Sequence, residues 1–152
     1  MTDLTKNTNL RFRFPNELHM ENWVLDNSAA QTVYLGAPLI IDQSADTLNL
    51  RIFDSSVTLA STDVLVGIAN AKVAVATTDT EANNVVEVIT AGEVGFPSAV
   101  FTKADLGKTV CFDDSGTLTA TTAANAKAGV LTQVEDGYAY VQLQTPYIQS
   151  HV

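Results

Sequence analysis

The sequence predicts a mainly β protein: a small antiparallel β-barrel or sandwich with a flexible N-terminal arm and at most one or two short helical turns. Its apolar runs are short and separated by polar turn residues, as at Asp113-Asp114-Ser115-Gly116 and Glu135-Asp136-Gly137. The run after Gly137 alternates, with Ala139, Val141 and Leu143 on one face and Tyr138, Tyr140 and Gln142 on the other. A period of two marks a half-buried strand. All 8 glycines lie at or after position 36, which sets a glycine-free N-terminal third apart from a turn-rich body.

In chain order, residues 1–10 are polar and without period, and read as the arm. Arg11-Phe12-Arg13-Phe14-Pro15 follows. In extended backbone Phe12 and Phe14 point one way and Arg11 and Arg13 the other. Residues 16–30, with His19, Met20 and the sole Trp23, carry no assignable period. The organisation is therefore an arm and lead-in over 1–30 and a single β domain over 31–152.

Thr32 to Ile41 reads as strand, kink, strand, with Gly36 and Pro38 at the bend. Leu48 to Phe53 is a shorter strand closed by Asp54-Ser55-Ser56. Val64 to Ala76 has alanines that allow a helix, but Val73-Ala74-Val75 and Gly67 favour strands, and strand is the reading adopted. Val85 to Ile89 is a strand that Ala91-Gly92 should turn, and Val94 to Pro97 forms the next run. Thr102-Lys103-Ala104-Asp105 matches a capping box, with Gly107 where the helical turn would end. In the last third, Gly116 and Gly137 are expected to supply positive φ for hairpin turns, and Gly36 is expected to make a turn earlier in the chain.

Hydrophobic residues make up 46% and charged residues 16% of 152, which suits one packed core and excludes a disordered chain. The net charge is −9, so nucleic acid is not an expected partner of the body. The charge is uneven. Residues 1–13 hold Lys6, Arg11 and Arg13 against Asp3, a local net of +2 that leaves −11 on the rest. No run of about 18 apolar residues occurs, so no membrane span is expected. MTDLTKNTNL lacks the apolar stretch of a signal peptide, so synthesis and use without export are expected. A lone Cys111 allows no intrachain disulfide.

A search for chemistry returns little. Asp113 and Asp114 are adjacent carboxylates, but glycosidase pairs face each other across a sugar from separate elements, and here Ser-Gly makes a turn. His19, His151 and Cys111 do not crowd into one metal-binding loop. Asp42, Asp46, Asp54, Asp63 and Asp79 lack calcium-loop spacing. No nucleotide, zinc-protease or nucleophile-elbow motif is present. The expectation is a binding or structural module: no enzyme, no metal and no cofactor.

A series of short signatures runs through the body: Leu35-Gly36-Ala37-Pro38-Leu39, Val66-Gly67-Ile68-Ala69 and Ala91-Gly92-Glu93-Val94. Leu106-Gly107-Lys108-Thr109-Val110, Asp114 to Thr119, Ala128-Gly129-Val130 and Asp136-Gly137 before Val141 follow. In order and spacing they resemble the capsid decoration, or cement, proteins of tailed bacteriophages. Residues 1–30 match no part of that pattern, and 47–62 are longer and more polar than it. The resemblance implies a structural virion protein, made in the host cytoplasm, that binds the outer capsid surface and clamps neighbouring major capsid subunits. It implies a homotrimer whose N-terminal arm docks on the shell, which maps capsid binding onto Lys6, Arg11, Phe12, Arg13 and Phe14. The competing reading is a β-sandwich recognition module of a head or tail fibre that binds glycan or a host surface through exposed aromatics, for which Trp23, Tyr138, Tyr140 and Tyr147 are candidates.

Overall fold

A computed structural model describes residues 3–42, 49–55, 57, 63–79, 84–120 and 126–144. Strands take 52% of the described residues and helical turns 5%, which makes the chain mainly β as its sequence predicts. The strands are β1 (His19–Val24), β2 (Gln31–Val33), β3 (Pro38–Asp42), β4 (Arg51–Ile52), β5 (Asp63–Ala69) and β6 (Val73–Val75). They continue with β7 (Val85–Pro97), β8 (Thr109–Phe112), β9 (Leu118–Thr119), β10 (Ala126–Glu135) and β11 (Tyr138–Leu143). The main sheet runs β4-β3-β5-β7-β11-β10-β8-β9, with β1 also on β7, and curls into an antiparallel half-barrel. β2 and β6 form a separate pair.

The central element is β7. Its first half pairs with β1 and β5, and its second half with β11. The sequence places a turn at Ala91-Gly92, but the strand passes straight through. Gly92 has φ 109, and the β1 register slips beside it between His19 and Met20. A positive φ with a register slip is a bulge, which bends a strand without reversing it. Leu18 packs where a Gly92 side chain would lie. The inserted residue also changes the facing: Ile89 and then Val94 and Phe96 all point into the same core.

The stretch Val64 to Ala76 is two strands, β5 and β6, as expected. Residues 16–30, which lacked a readable period, hold a 3-10 turn at Pro15–Glu17 and then β1. Gly67 has no side chain because the Ile89 carbonyl occupies that position, and Gly129 stands in the same way against the Gln142 carbonyl. Close backbone approach explains both.

Two cores follow from alternation along β3, β5 and β7. Ile40, Leu65 and Ile89 face the inside of the half-barrel, where Phe96, Phe112, Val141 and Leu143 join them. Leu39, Val66, Val86 and Val88 face the other way and are covered by Val33 and Val75 of the small sheet and by Leu25 and Leu50. Each such fully buried side chain is worth about 1.5–3 kcal/mol. β3, β5 and the stretch Val88 to Thr90 of β7 are thus buried on both faces, whereas Val85 and Glu87 at the start of β7 are exposed.

Turns divide into two kinds. Asp136 (φ 53) and Gly137 (φ 77) form a two-residue hairpin of the I′ type, as Asp-Gly predicts. Gly36 (φ 94) lies in the turn before β3, where a bend is expected. Gly116 does not: positive φ among the described glycines belongs to Gly36, Gly92, Gly107 and Gly137. The turn there is made by the Asp114 carboxylate, whose Oδ1 accepts the Gly116 N–H at 2.8 Å, and by the Asp113 N–H, which donates to the Thr117 carbonyl at 2.9 Å. An Asx turn reverses the chain without a left-handed residue. The capping box is present, with Thr102 and Asp105 closing the 3-10 turn Lys103–Asp105.

The arm is the main departure from expectation. Residues 3–14 are strapped onto the body, with bends at Thr5, Lys6 and Arg13, because apolar side chains and backbone groups find partners there.

Candidate functional site

The arm follows β7 antiparallel. Arg11 and Gly95 exchange both backbone hydrogen bonds, at 3.0 and 2.7 Å. This pairing sets the facing of the arm. Leu10 and Phe12 pack on the barrel core, while Arg11 and Arg13 lie on the opposite face. Arg13 comes opposite Glu93, and its Nε and Nη2 each donate at 2.6 Å, to Oε1 and Oε2. Thr132 Oγ1 donates to Oε2 at 2.7 Å. The Glu93 side chain is only 4% exposed. Burial pushes its carboxyl up, but the hydrogen bonds from Arg13 and Thr132 and the Arg13 charge outweigh this and hold it below the usual range. Hydrogen bonding to Glu93 raises the Arg13 guanidinium in turn, against some desolvation.

The same arginines roof two tyrosines. The Arg11 guanidinium lies 4.0 Å from the Tyr138 ring centroid and that of Arg13 lies 5.0 Å from Tyr140. The Tyr138 hydroxyl donates to the Asn9 carbonyl at 2.9 Å. Tyr138 and Tyr140 are consequently 7% and 3% exposed. They alternate with Ala139 and Val141 as the sequence predicts, yet the arm covers the face they occupy.

The start of the arm is tied at the far end of the barrel. The Asp3 carboxylate accepts the Ser55 and Ser115 N–H groups, at 2.9 and 3.2 Å, and both hydroxyls. Burial raises the Asp3 carboxyl and these four bonds lower it, with a net fall. The Leu4 N–H donates to Ser115 Oγ at 2.7 Å, and Asn7 Oδ1 accepts the Leu35 N–H at 3.0 Å.

Between these ties the arm walls a pocket of about 450 Å³. Phe96, Phe112 and Leu118 form its apolar side, and Lys6, Asn7 and Asn9 its polar side. Phe96 and Phe112 meet edge to face, 5.5 Å between centroids. A second depression of about 240 Å³ shares Lys6 and Asn7 and adds Thr5, Tyr34 and Lys72. The Lys72 ammonium sits 5.3 Å over the Tyr34 ring.

The five residues singled out for capsid contact thus divide. Lys6 is exposed at both depressions, and Phe14 is 46% exposed with the Arg13 guanidinium 5.1 Å away. Arg11, Phe12 and Arg13 are engaged within the molecule. Cys111 is buried, and burial pushes its thiol up, away from thiolate character. His19 is exposed and contacts Glu21 at 3.3 Å. Trp23 is half-buried and donates to Glu21 at 3.1 Å. Asp46, Tyr147 and His151 lie outside the described residues. Among the described residues no group of three His, Cys, Asp or Glu side chains converges as a metal site, and no helix is long and apolar enough to cross a membrane.

Sequence reasoning did not find Glu93, Asp3, Ser115 or Lys72. Each meets its partner through strand register or chain crossing, which leaves no local signal. The one usable clue was that Glu93 stands alone as a charge within an apolar run, from Val88 to Phe96. No protein-family model, no curated protein and no solved structure matches the chain.

Proposed function

We propose that the protein is a structural component of a phage head that binds the outer surface of the capsid and clamps neighbouring major capsid subunits, acting as a homotrimer. The observation that carries this reading is what the resembling signatures do in the fold. Gly36 and Gly137 make turns, Gly92 makes the bulge of β7, and Gly67 and Gly129 sit where neighbouring backbones touch. The ordered signatures therefore build one particular sheet, which fits a protein whose task is to present a fixed surface. A latched, compact molecule also suits a clamp, since a pre-ordered surface loses little entropy on docking. Three copies acting together multiply weak contacts by effective concentration. An acidic chain of net charge −9 keeps crowded copies, and particles, apart.

The fibre-module reading has less support. Tyr138 and Tyr140, two of its candidate aromatics, are roofed by Arg11 and Arg13. The test is to mix the purified protein with emptied, expanded capsids and image them. Three-fold density on the outer surface is expected. Bare capsids beside binding on a glycan array would move the protein to the fibre class, and isolated single copies on the shell would defeat the trimer.

A further inference from the structure

Two neighbouring depressions differ in chemistry but share a wall. The larger offers Phe96, Phe112 and Leu118 on one side. The smaller gathers two ammonium groups, Lys6 and Lys72, with the Tyr34 phenol and the Asn7 amide. Lys6 and Asn7 line both. Among the described residues no carboxylate lines either one. The nearest in the chain's path is Asp3, whose oxygens are taken by Ser55 and Ser115. In a chain with 17 acidic and 8 basic residues, two lysines meeting at one small depression concentrate positive charge against the general trend.

From this we infer that the double depression is a docking site for an acidic peptide segment that bends to present an aromatic or large aliphatic residue and the neighbouring carboxylate on one side. The apolar residue enters the larger pocket, whose about 450 Å³ lies in the range of small-ligand sites. There it meets Leu4 and the narrow edges that Phe96 and Phe112 leave accessible, 4% and 2% of their surfaces, beside their edge-to-face contact. The carboxylate lies over the smaller depression between Lys6 and Lys72, with the Asn7 amide beside it. An inorganic anion satisfies only the second half of this surface; an uncharged apolar ligand satisfies only the first. A peptide with both groups at adjacent positions satisfies the whole. Because residues 4–9 of the arm form one wall, the site exists only while the latches hold the arm in place. The inference deepens the capsid reading by naming the surface and the kind of shell segment it grips, and to that extent rests on it.

The test has two arms. In the first, the full-length protein is labelled with nitrogen-15 and titrated at millimolar concentration with acetyl-phenylalanyl-glutamyl amide. Progressive shifts of the Asn7, Asn9 and Gly116 amide signals are expected. The glutaminyl counterpart should bind about tenfold more weakly, a loss of about 1.4 kcal/mol. Lys6→Glu with Lys72→Glu should abolish the response; both side chains are exposed, and an unchanged spectrum elsewhere shows that the fold persists. No shift with the acidic dipeptide, equal shifts with the neutral one, or the same response to inorganic phosphate alone overturns the proposal. In the second arm, wild type, the Lys6→Glu/Lys72→Glu protein and a Lys103→Glu/Lys127→Glu control are compared for decoration of expanded capsids. Loss in the pocket variant alone supports the site. Equal decoration by all three, with no dipeptide response, overturns the pocket and leaves the capsid reading standing. A dipeptide response with no decoration by wild type supports the pocket and sinks the capsid reading.

Discussion

Arg13 and Glu93 stand 80 residues apart in sequence and face each other as a two-pronged ion pair, with both N–O distances 2.6 Å. Glu93 is almost fully buried, and Arg13 reaches it from the arm. The pair therefore joins the mobile-looking end of the sequence to the central strand of the fold. Removing one partner strands the other. Glu93→Gln should cost about 1–3 kcal/mol, below a fully buried pair because Arg13 keeps some contact with water. For a chain of this size that is a fall in Tm of about 3–9 °C. A melt unchanged by the substitution would show that the latch contributes nothing.

The same pair sets a pH dependence. Glu93 and Asp3 both have carboxyls held below their ordinary values of 4.5 and 3.8. A depressed folded-state value means that the stabilisation is fully present above the unfolded value and is lost as pH falls through the folded one. Melts of wild type and Glu93→Gln from about pH 7 to about pH 3 should therefore converge at the acid end, since protonation removes from wild type what the substitution has already removed. A gap that widens in acid would contradict this sign.

Two glycines separate backbone strain from steric exclusion. Gly137 has φ 77 and open space where a side chain would be, so Gly137→Val should cost about 1–2 kcal/mol from backbone strain alone. Gly137→Asn should cost less, because Asn tolerates the left-handed region. Gly129 has ordinary φ but stands against the Gln142 carbonyl, so even Gly129→Ala must push β10 and β11 apart. Denaturant melts should rank Gly129→Ala as the most damaging of the three; equal losses would mean that the strand pair yields easily.

What the sequence reveals and what it hides follow from the range of the interactions. The inward set Ala139, Val141 and Leu143, the Asp136-Gly137 hairpin and the Thr102–Asp105 box are local, and each is found where its pattern puts it. Gly92 misleads because a positive φ serves a reversal and a bulge equally; the choice is made by β1 and β11, which hold β7 on either side of it. Gly116 misleads because the Asp114 carboxylate makes the turn in its place. Tyr138 and Tyr140 read as exposed because nothing in their strand announces that Arg11 and Arg13 will cover them. The pocket was out of reach for the same reason: Lys6 and Lys72 meet only through the path of the arm.

That path gives the last prediction. On sequence grounds residues 1–10 read as a flexible arm, and the resemblance implies that the arm docks on a shell. In the fold Phe12 and Leu10 pack on the barrel core, Arg11 pairs with Gly95, Arg13 with Glu93, and Asp3 with Ser55 and Ser115. A chain beginning at Asn16 loses all of these at once and exposes Tyr138 and Tyr140. A half-buried Phe is worth about 1 kcal/mol or somewhat more, and the buried Glu93 left without its arginine adds a similar cost or a larger one. The truncated protein should therefore unfold at clearly lower temperature, by about 5 °C or more. Single substitutions should divide along the arm: Phe12→Ala destabilises, whereas Phe14→Ala, at an exposed position, stays within about 0.5 kcal/mol of wild type. If Phe14→Ala nevertheless weakens capsid decoration while Phe12→Ala at a temperature below its melt does not, the two aromatics have separate tasks, one in the fold and one at the shell. A truncated chain that melts with the full-length protein would instead mean that the arm lies on the body without holding it.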